Sequence, residues 1–248
     1  MILPFGVSGL VALELARAIF GAAYVRGYGG VGFSAISLAC AAILTDPLPL
    51  IPVIFGCELT MTAFQARGLR GHVDWRRVAA LLVGAAIVLP VSVTVILSLG
   101  EGAVRILVSS IVLIMALVLA AGWTLQRRIG TPGNVGVGMV SGLCNAAGVG
   151  GLPVAAAMAA QPIPAPVFRA TMIVYLTGLD LLTLPLLWAG GLVTWGTLLA
   201  LALVLPLLWT GIWLGGRRFH GTSPASFRQF AIYLLMALAL MGLVRAVL

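Results

Sequence analysis

The chain alternates long apolar stretches with short polar connections. A helix needs about 20 mostly apolar residues to cross the hydrocarbon core of a bilayer, and six stretches meet that requirement. Two other apolar regions, 1–45 and 133–165, are interrupted by glycine-rich runs, so each is predicted to hold a broken helix. The predicted membrane-spanning helices cover 48–66, 76–98, 104–123, 168–190, 196–216 and 229–247.

Composition supports lipid as the solvent for most of the chain. Hydrophobic residues make up 62% of the 248 residues and charged residues only 8%, whereas soluble domains carry about 25% charged residues. The net charge of +8 comes from 14 arginines and no lysine, which lie singly or in pairs between the apolar stretches. This pattern is typical of a multi-pass membrane protein. It excludes a soluble enzyme, a nucleic-acid-binding protein and a disulfide-rich secreted domain.

The two halves of the chain, 1–124 and 130–248, resemble each other. Glycines and tryptophans recur at an offset of 120 or 121 residues, and both glycine-rich breaks fall in register. Such spacing indicates an internal repeat. The matching pairs are Gly21 with Gly142, Gly27 with Gly148, Gly29 with Gly150, Gly30 with Gly151, Val73 with Val193, Trp75 with Trp195, and Gly122 with Gly242.

The placement of arginine predicts how the two repeats lie in the membrane. Positive charge favours the cytoplasmic side, so the arginine-rich loop after 48–66 is placed inside. Its counterpart in the second half, 190–195, has no charge and is placed outside. The predicted fold is therefore an all-α integral membrane protein of two inverted repeats. Its glycine-broken segments either cross the membrane or re-enter from one side.

The glycine-rich breaks are candidates for a binding site. Where a helix restarts within the membrane, it presents unpaired N–H groups and the positive end of its dipole, which suits an anion. Pro153 fits the first turn of such a restarted helix, because its missing N–H costs nothing there. The alternative is that the glycines only allow close helix packing. The candidate residues are Gly27, Tyr28, Gly29 and Gly30 in the first break, and Gly148, Gly150, Gly151 and Pro153 in the second.

Two acidic residues occupy matching places in the middle of predicted spans. Glu58 lies within 48–66 and Asp180 within 168–190, at an offset of 122. A charged side chain at the bilayer centre costs about 2.5–3.5 kcal/mol even on the lenient insertion scale. Both are therefore candidates to carry a coupled proton. The alternative is a structural role, as an ion pair with an intramembrane arginine or as a hydrogen-bonded neutral acid.

Three further residues complete the candidate set. Arg26 abuts the first break, and its planar guanidinium can hold two oxygens of an anion; the alternative is a cytoplasmic anchor at a helix end. Asn145 precedes the second break and could line the site, because a buried amide needs partners. Arg169, at the start of 168–190, is interpreted as an anchor.

The glycine pattern resembles that of the TauE/SafE family of sulfite exporters, whose two halves carry glycine-rich stretches ending in proline. Residues 141–153, with Gly148, Gly150 and Gly151 before Pro153, are similar to the second-half pattern. In the first half Gly32 stands opposite Pro153. The resemblance spans nearly the whole chain through the repeat spacing. It implies movement of sulfite, sulfonates, sulfoacetate or similar sulfur anions, linked to the proton gradient.

We therefore expect a secondary transporter that moves a small anion, a sulfur oxyanion or organosulfonate, across the bacterial inner membrane with proton coupling. The alternative is a passive channel for small anions or neutral solutes. The sequence has no nucleotide-binding or catalytic motif, so neither an ATP-driven pump nor an enzyme is expected. No cofactor or metal is expected. The expected partners are the anion and membrane lipid, without nucleic acid, and a homodimer is left open.

Overall fold

The computed structural model describes residues 5, 7–29, 32–65, 71–122, 125 and 127–218, and the single positions 233, 236, 240 and 244. In these parts the chain is helical and contains no β-strand. A short 3-10 helix, Leu48–Leu50, leads directly into α3. The helices are α1 (Gly9–Gly29), α2 (Phe33–Leu44), α3 (Ile51–Gln65), α4 (Trp75–Ser98), α5 (Glu101–Ala120), α6 (Thr131–Asn145), α7 (Gly151–Ala159), α8 (Ala165–Ala189) and α9 (Trp195–Arg218).

Five of the described helices are long and apolar enough to cross a membrane: α3 with the 3-10 turn before it, α4, α5, α8 and α9. They confirm the first five predicted spans, with ends that differ by up to three residues. The sixth predicted span, 229–247, lies outside the described residues apart from four single positions. The protein is therefore a multi-pass membrane protein. Helix α1 has 21 residues and carries three charges along its length, Glu14, Arg17 and Arg26.

Glycines bring two pairs of helices into close parallel contact. In the first pair, a Cβ atom on Gly138 of α6 would overlap the carbonyl oxygen of Leu81 on α4, and one on Gly142 would lie 2.8 Å from the carbonyl oxygen of Ala85. From the first of these contacts to the second, the contacting residue moves four positions towards the C-terminus on both helices, so α4 and α6 run parallel. Because a glycine removes the side chain between two backbones, it permits the close packing seen in membrane helix pairs.

The second pair is built in the same way. A Cβ atom on Gly211 of α9 would lie 2.9 Å from the carbonyl oxygen of Phe20 on α1, and one on Gly215 would overlap the carbonyl of Tyr24. Helices α1 and α9 therefore also run parallel. Gly27 joins this contact, since its Cβ would lie 2.6 Å from the carbonyl oxygen of Ile212.

Five kinds of contact among the described helices recur when α1, α2, α3 and α4 are replaced by α6, α7, α8 and α9, respectively, and the reverse. Helix α4 packs on α6 as α9 packs on α1, and α3 packs on α9 as α8 packs on α4. The contacts of α1 with α2 and of α2 with α3 have counterparts in those of α6 with α7 and of α7 with α8. The contact of α3 with α8 is its own counterpart and lies where the two halves meet.

The two predicted helix breaks differ in outcome. The second is found where it was predicted: α6 ends at Asn145, α7 begins at Gly151, and Gly148 between them has a φ of 72°. The first lies further along the chain than predicted. Helix α1 continues through Gly29, and the left-handed residue is Gly32, with a φ of 96°. Gly27 therefore sits inside a helix, where its close contact with α9 explains the absence of a side chain.

Prediction: Gly138→Ala should lower the melting temperature of the purified protein in detergent, because the added methyl group meets backbone of α4 that cannot move aside. Gly136→Ala is the matched control. It lies in the same helix, two residues away, with open space around its Cβ position. Since alanine is the better helix former by about 1 kcal/mol, this control should leave the melting temperature unchanged or raise it. Equal melting temperatures for both variants would contradict the packing described.

Candidate functional site

A buried ion pair joins α1 to α3. Arg26, in the last turn of α1, donates from Nη1 to Oε1 of Glu58 over 2.9 Å. The side chains are 0% and 3% exposed. The Nε and Nη2 atoms of Arg26 are buried and have no hydrogen-bond partner among the described residues. The guanidinium therefore neutralises one carboxylate and keeps two donors for another acceptor.

Asp180 of α8 meets this pair from the other half of the chain. It is 1% exposed, and it interacts electrostatically with both Glu58 and Arg26. Both of its carboxyl oxygens are buried and accept no hydrogen bond from the described residues. An ionised carboxylate can only accept hydrogen bonds, so a hydrogen bond between the two carboxyl groups would need a proton on one of them. This cluster of Arg26, Glu58 and Asp180 is called the charge cluster below.

Two hydroxyl groups extend the contact by one helical turn. Thr177 of α8 donates to Thr62 of α3 over 3.0 Å. Thr62 lies four residues after Glu58, whereas Thr177 lies three residues before Asp180. The two helices therefore run antiparallel where they meet.

Helix α8 also holds the second helix break. The Tyr175 hydroxyl donates to Oγ of Ser141 over 2.6 Å, and Ser141 donates to the carbonyl oxygen of Gly150 over 2.5 Å. One turn beyond Asp180, Thr183 accepts a hydrogen bond of 2.8 Å from Nδ2 of Asn145. These bonds fix both sides of the break against the helix that carries Asp180.

Close packing explains the glycines of the second break. A Cβ atom on Gly150 would lie 2.5 Å from Oδ1 of Asn145, and one on Gly148 would overlap the Leu38 side chain of α2. The first residues of α2 and α7 follow Gly32 and Gly150, and neither glycine supplies a side-chain cap. Both restarted helices thus begin without the side-chain hydrogen bond that commonly satisfies the first N–H groups.

The structure brings together only part of the predicted site. Arg26, Glu58 and Asp180 are in contact, and Asn145 is joined to the same helix as Asp180. The remaining residues are dispersed or outside the described parts. Gly27 contacts α9, Gly151 contacts Leu176, and Gly29 is the last residue of α1. Pro153 lines an apolar cavity of about 430 Å³ between α5, α6 and α7. The Tyr28 side chain and Gly30 are not among the described positions.

Arg169 lies closer to Arg26 than the sequence indicates. The sequence places it at the start of a span, and α8 begins four residues earlier, at Ala165; its role as an anchor stays a prediction. It is half-buried and close enough to Arg26 for electrostatic repulsion. Tyr175, with its bond to Ser141, was also missed. A tyrosine within an apolar span is a signal that could have found it, since a buried hydroxyl needs a partner.

The comparison with family models gives one match, to the sulfite exporter TauE/SafE family, over residues 15–242. The match includes every helix that carries the charge cluster. The chain belongs to the TauE/SafE sulfite exporter family. Comparisons of this TauE/SafE chain with curated proteins and with solved structures gave no match.

The charge cluster of this TauE/SafE protein places one guanidinium beside two carboxyl groups. The Nε and Nη2 atoms of Arg26 have no hydrogen-bond partner among the described residues, so they could hold the oxygens of an anion. The carboxyl groups of Glu58 and Asp180 are groups that can carry a proton.

Prediction: Arg26→Met should destabilise the TauE/SafE protein by about 3–5 kcal/mol, because it leaves Glu58 buried without its partner. Adding Glu58→Leu to this variant should restore much of the loss, since both charges are then absent. Denaturant unfolding in detergent measures each free energy. The matched control is Arg17→Met, which breaks the exposed 2.6 Å pair with Glu14 and should cost about 0–1 kcal/mol. An equal loss of unfolding free energy in Arg26→Met and Arg17→Met would contradict the buried pairing of Arg26.

Proposed function

We propose that the protein is a secondary transporter that carries a small sulfur oxyanion or organosulfonate across the bacterial inner membrane, together with a proton. The observation that carries this proposal is the charge cluster, in which an arginine with two free donors and two touching carboxyl groups are buried between the two halves. Family membership supports the anion as cargo. The residues we assign to the anion are Arg26 and the N-terminal turns that follow the breaks, and those we assign to the proton are Glu58 and Asp180.

Two inverted repeats are part of this proposal. The equivalent helices α3 and α8 run antiparallel where they meet, as the contacts of Thr62 with Thr177 and of Glu58 with Asp180 require. The exchange symmetry of the helix contacts supports the same relation. In transporters built this way, one bundle of helices rocks against the other around a site at their interface. Movement of α3 relative to α8 would open the charge cluster to one side of the membrane at a time.

Anion and proton are coupled through competition for Arg26. In the structure Glu58 occupies one edge of the guanidinium. An anion that takes this place displaces the carboxylate, which is too costly to leave ionised and unpaired within the membrane and therefore binds a proton. Conversely, a proton on Glu58 weakens its bond to Arg26 and frees the guanidinium for the anion. Proton and anion then bind together and cross together, in whichever direction their summed gradients point.

The guanidinium also favours the proposed class of substrate. Its donors lie in one plane and match two oxygens of a sulfite or sulfonate group bidentately. Such a group retains its third oxygen as an acceptor, which can receive hydrogen bonds from N–H groups at the starts of α2 and α7. A neutral solute that displaced Glu58 would leave the charge of Arg26 uncompensated, so we expect neutral compounds to be poor substrates.

Prediction: Asp180→Asn should abolish the stimulation of anion flux by a pH gradient in proteoliposomes, because the cluster loses a carboxyl group that we assign to the proton. The flux of radiolabelled sulfoacetate or thiosulfate measures transport, and a pH-sensitive dye trapped in the vesicles reports proton movement. The matched control is Glu14→Gln, an exposed acid on α1, which should retain full stimulation. Circular dichroism and size-exclusion chromatography check that each variant is folded.

Two outcomes would count against this proposal. Undiminished stimulation in Asp180→Asn would remove Asp180 from the coupling role. Wild-type flux that neither saturates with anion concentration nor accumulates substrate against its gradient would indicate the passive channel instead.

Prediction: Arg26→Ala and Glu58→Gln should change anion affinity in opposite directions. Arg26→Ala removes hydrogen bonds from a charged donor and should weaken binding about tenfold or more. Glu58→Gln removes the competing carboxylate and should leave binding at neutral pH equal to or tighter than that of the wild type. Calorimetric titration of the folded protein with sulfoacetate measures both. Arg17→Ala serves as the control for loss of a positive charge, and equal weakening in Arg17→Ala and Arg26→Ala would return Arg26 to a purely structural role.

A further inference from the structure

A second charged cluster lies away from the charge cluster, where α4 and α6 begin. Because these helices run parallel and in contact, their N-termini lie on the same side of the protein. A cavity of about 210 Å³ opens between them. Its lining includes Asp74, Arg76, Arg77, Arg128, Gly130 and Thr131.

Arg77 is the buried member of this lining. It is 5% exposed, and its Nη2 donates to Oε1 of Gln161 over 3.3 Å. Its Nε and Nη1 atoms are buried and have no hydrogen-bond partner within the described parts of the chain. A buried guanidinium with two unused donors is costly, and here these donors belong to a side chain that lines an open cavity.

The nearby carboxylate does not satisfy Arg77. Asp74 Oδ2 is 3.7 Å from Arg77 Nε, which is an ion-pair distance and too long for a hydrogen bond. Its Oδ1 already accepts the backbone N–H of Arg77 over 3.1 Å and caps α4. Arg128 adds repulsion, since it interacts electrostatically with Arg77. With Arg76, three guanidinium groups face a single carboxylate, so the cavity has an excess of positive charge.

The N-terminus of α6 adds further donors. Its N-cap residue, Gly130, provides no side-chain cap, in contrast to Asp74 at the start of α4. The helix has 15 residues, so its dipole places partial positive charge at this end. Thr131 of this uncapped first turn and the Arg77 side chain line the same cavity, and Pro132 is the one residue of the turn without an N–H. Their shared chemistry is that of an oxyanion site.

We propose that this cavity binds a phosphate group, supplied either by the headgroup of an anionic phospholipid or by free phosphate. The exposed Trp75 at the start of α4 supports access from lipid, since tryptophan marks the headgroup level of membrane helices. The position beside an arginine-rich loop also matches the anionic surface that such loops face. The site uses none of the residues assigned to transport, so its test is independent of the proposed function.

The test measures binding to the purified full chain in a neutral detergent. Dihexanoyl phosphatidylglycerol, inorganic phosphate and dihexanoyl phosphatidylcholine are titrated separately, with the melting temperature and native mass spectrometry as readouts. For the wild type we expect a rise in melting temperature with phosphatidylglycerol or with phosphate, and none with phosphatidylcholine. Saturation by phosphatidylglycerol alone identifies a lipid headgroup as the source, and an equal response to inorganic phosphate identifies the free ion.

Two variants test the assignment to Arg77 and α6. Arg77→Gln removes the charge and should weaken binding about tenfold or more. Thr131→Glu places a carboxylate at the uncapped N-terminus, which should preserve or raise basal stability while occupying the site in place of the ligand. The control is Arg17→Gln, which removes an exposed arginine elsewhere and should bind as the wild type does. Absence of any response in the wild type, or unchanged affinity in both variants, would overturn the proposal.

Discussion

A charged group inside a membrane must have a partner, and this requirement governs the centre of the protein. Arg26, Glu58 and Asp180 lie on three helices that belong to both halves of the chain. They are buried together, and none of the three side chains is more than 3% exposed. Separating any of them from the others would leave an unpaired charge in a medium of low dielectric constant. The cluster therefore holds α1 and α3 against α8. The costly burial of these charged groups supports our proposal that they bind and release a charged cargo.

The same requirement connects the fold to transport. Close glycine contacts make two parallel pairs, α1 with α9 and α4 with α6, which are suited to move as units because their backbones interlock. The contact of α3 with α8 is different, since it includes hydroxyl and carboxyl groups that can exchange partners. Motion of the α1–α9 pair against the α4–α6 pair would thus be easiest where the charges lie. A bound anion and proton that together neutralise the buried charged groups would lower the free-energy cost of this motion. This is the physical basis of the coupling we propose.

Hydropathy and spacing predicted much of the fold, because lipid imposes a long apolar helix wherever the chain crosses it. They could not predict contacts between distant segments. A glycine in the sequence does not by itself distinguish a helix break from a close contact between two helices. Gly148 lies at a helix break, whereas Gly27 lies inside a helix and packs against Ile212 of another helix. The proximity of Arg169 to Arg26 could not be predicted, because it joins segments that are distant in the chain. The pairing of Arg26 with Glu58 was only one of the alternatives that sequence left open, and side-chain packing decided it.

The central claim is that one anion and one proton bind together at the charge cluster. Calorimetric titration with sulfoacetate in several buffers of different ionisation enthalpy measures proton uptake on binding directly. The account predicts that the apparent binding enthalpy of the wild type varies with the buffer, with a slope of about one proton per anion at neutral pH, because the displaced Glu58 must be neutralised. In Glu58→Gln the slope should fall towards zero while binding persists. A wild-type binding enthalpy that is independent of the buffer would contradict the account.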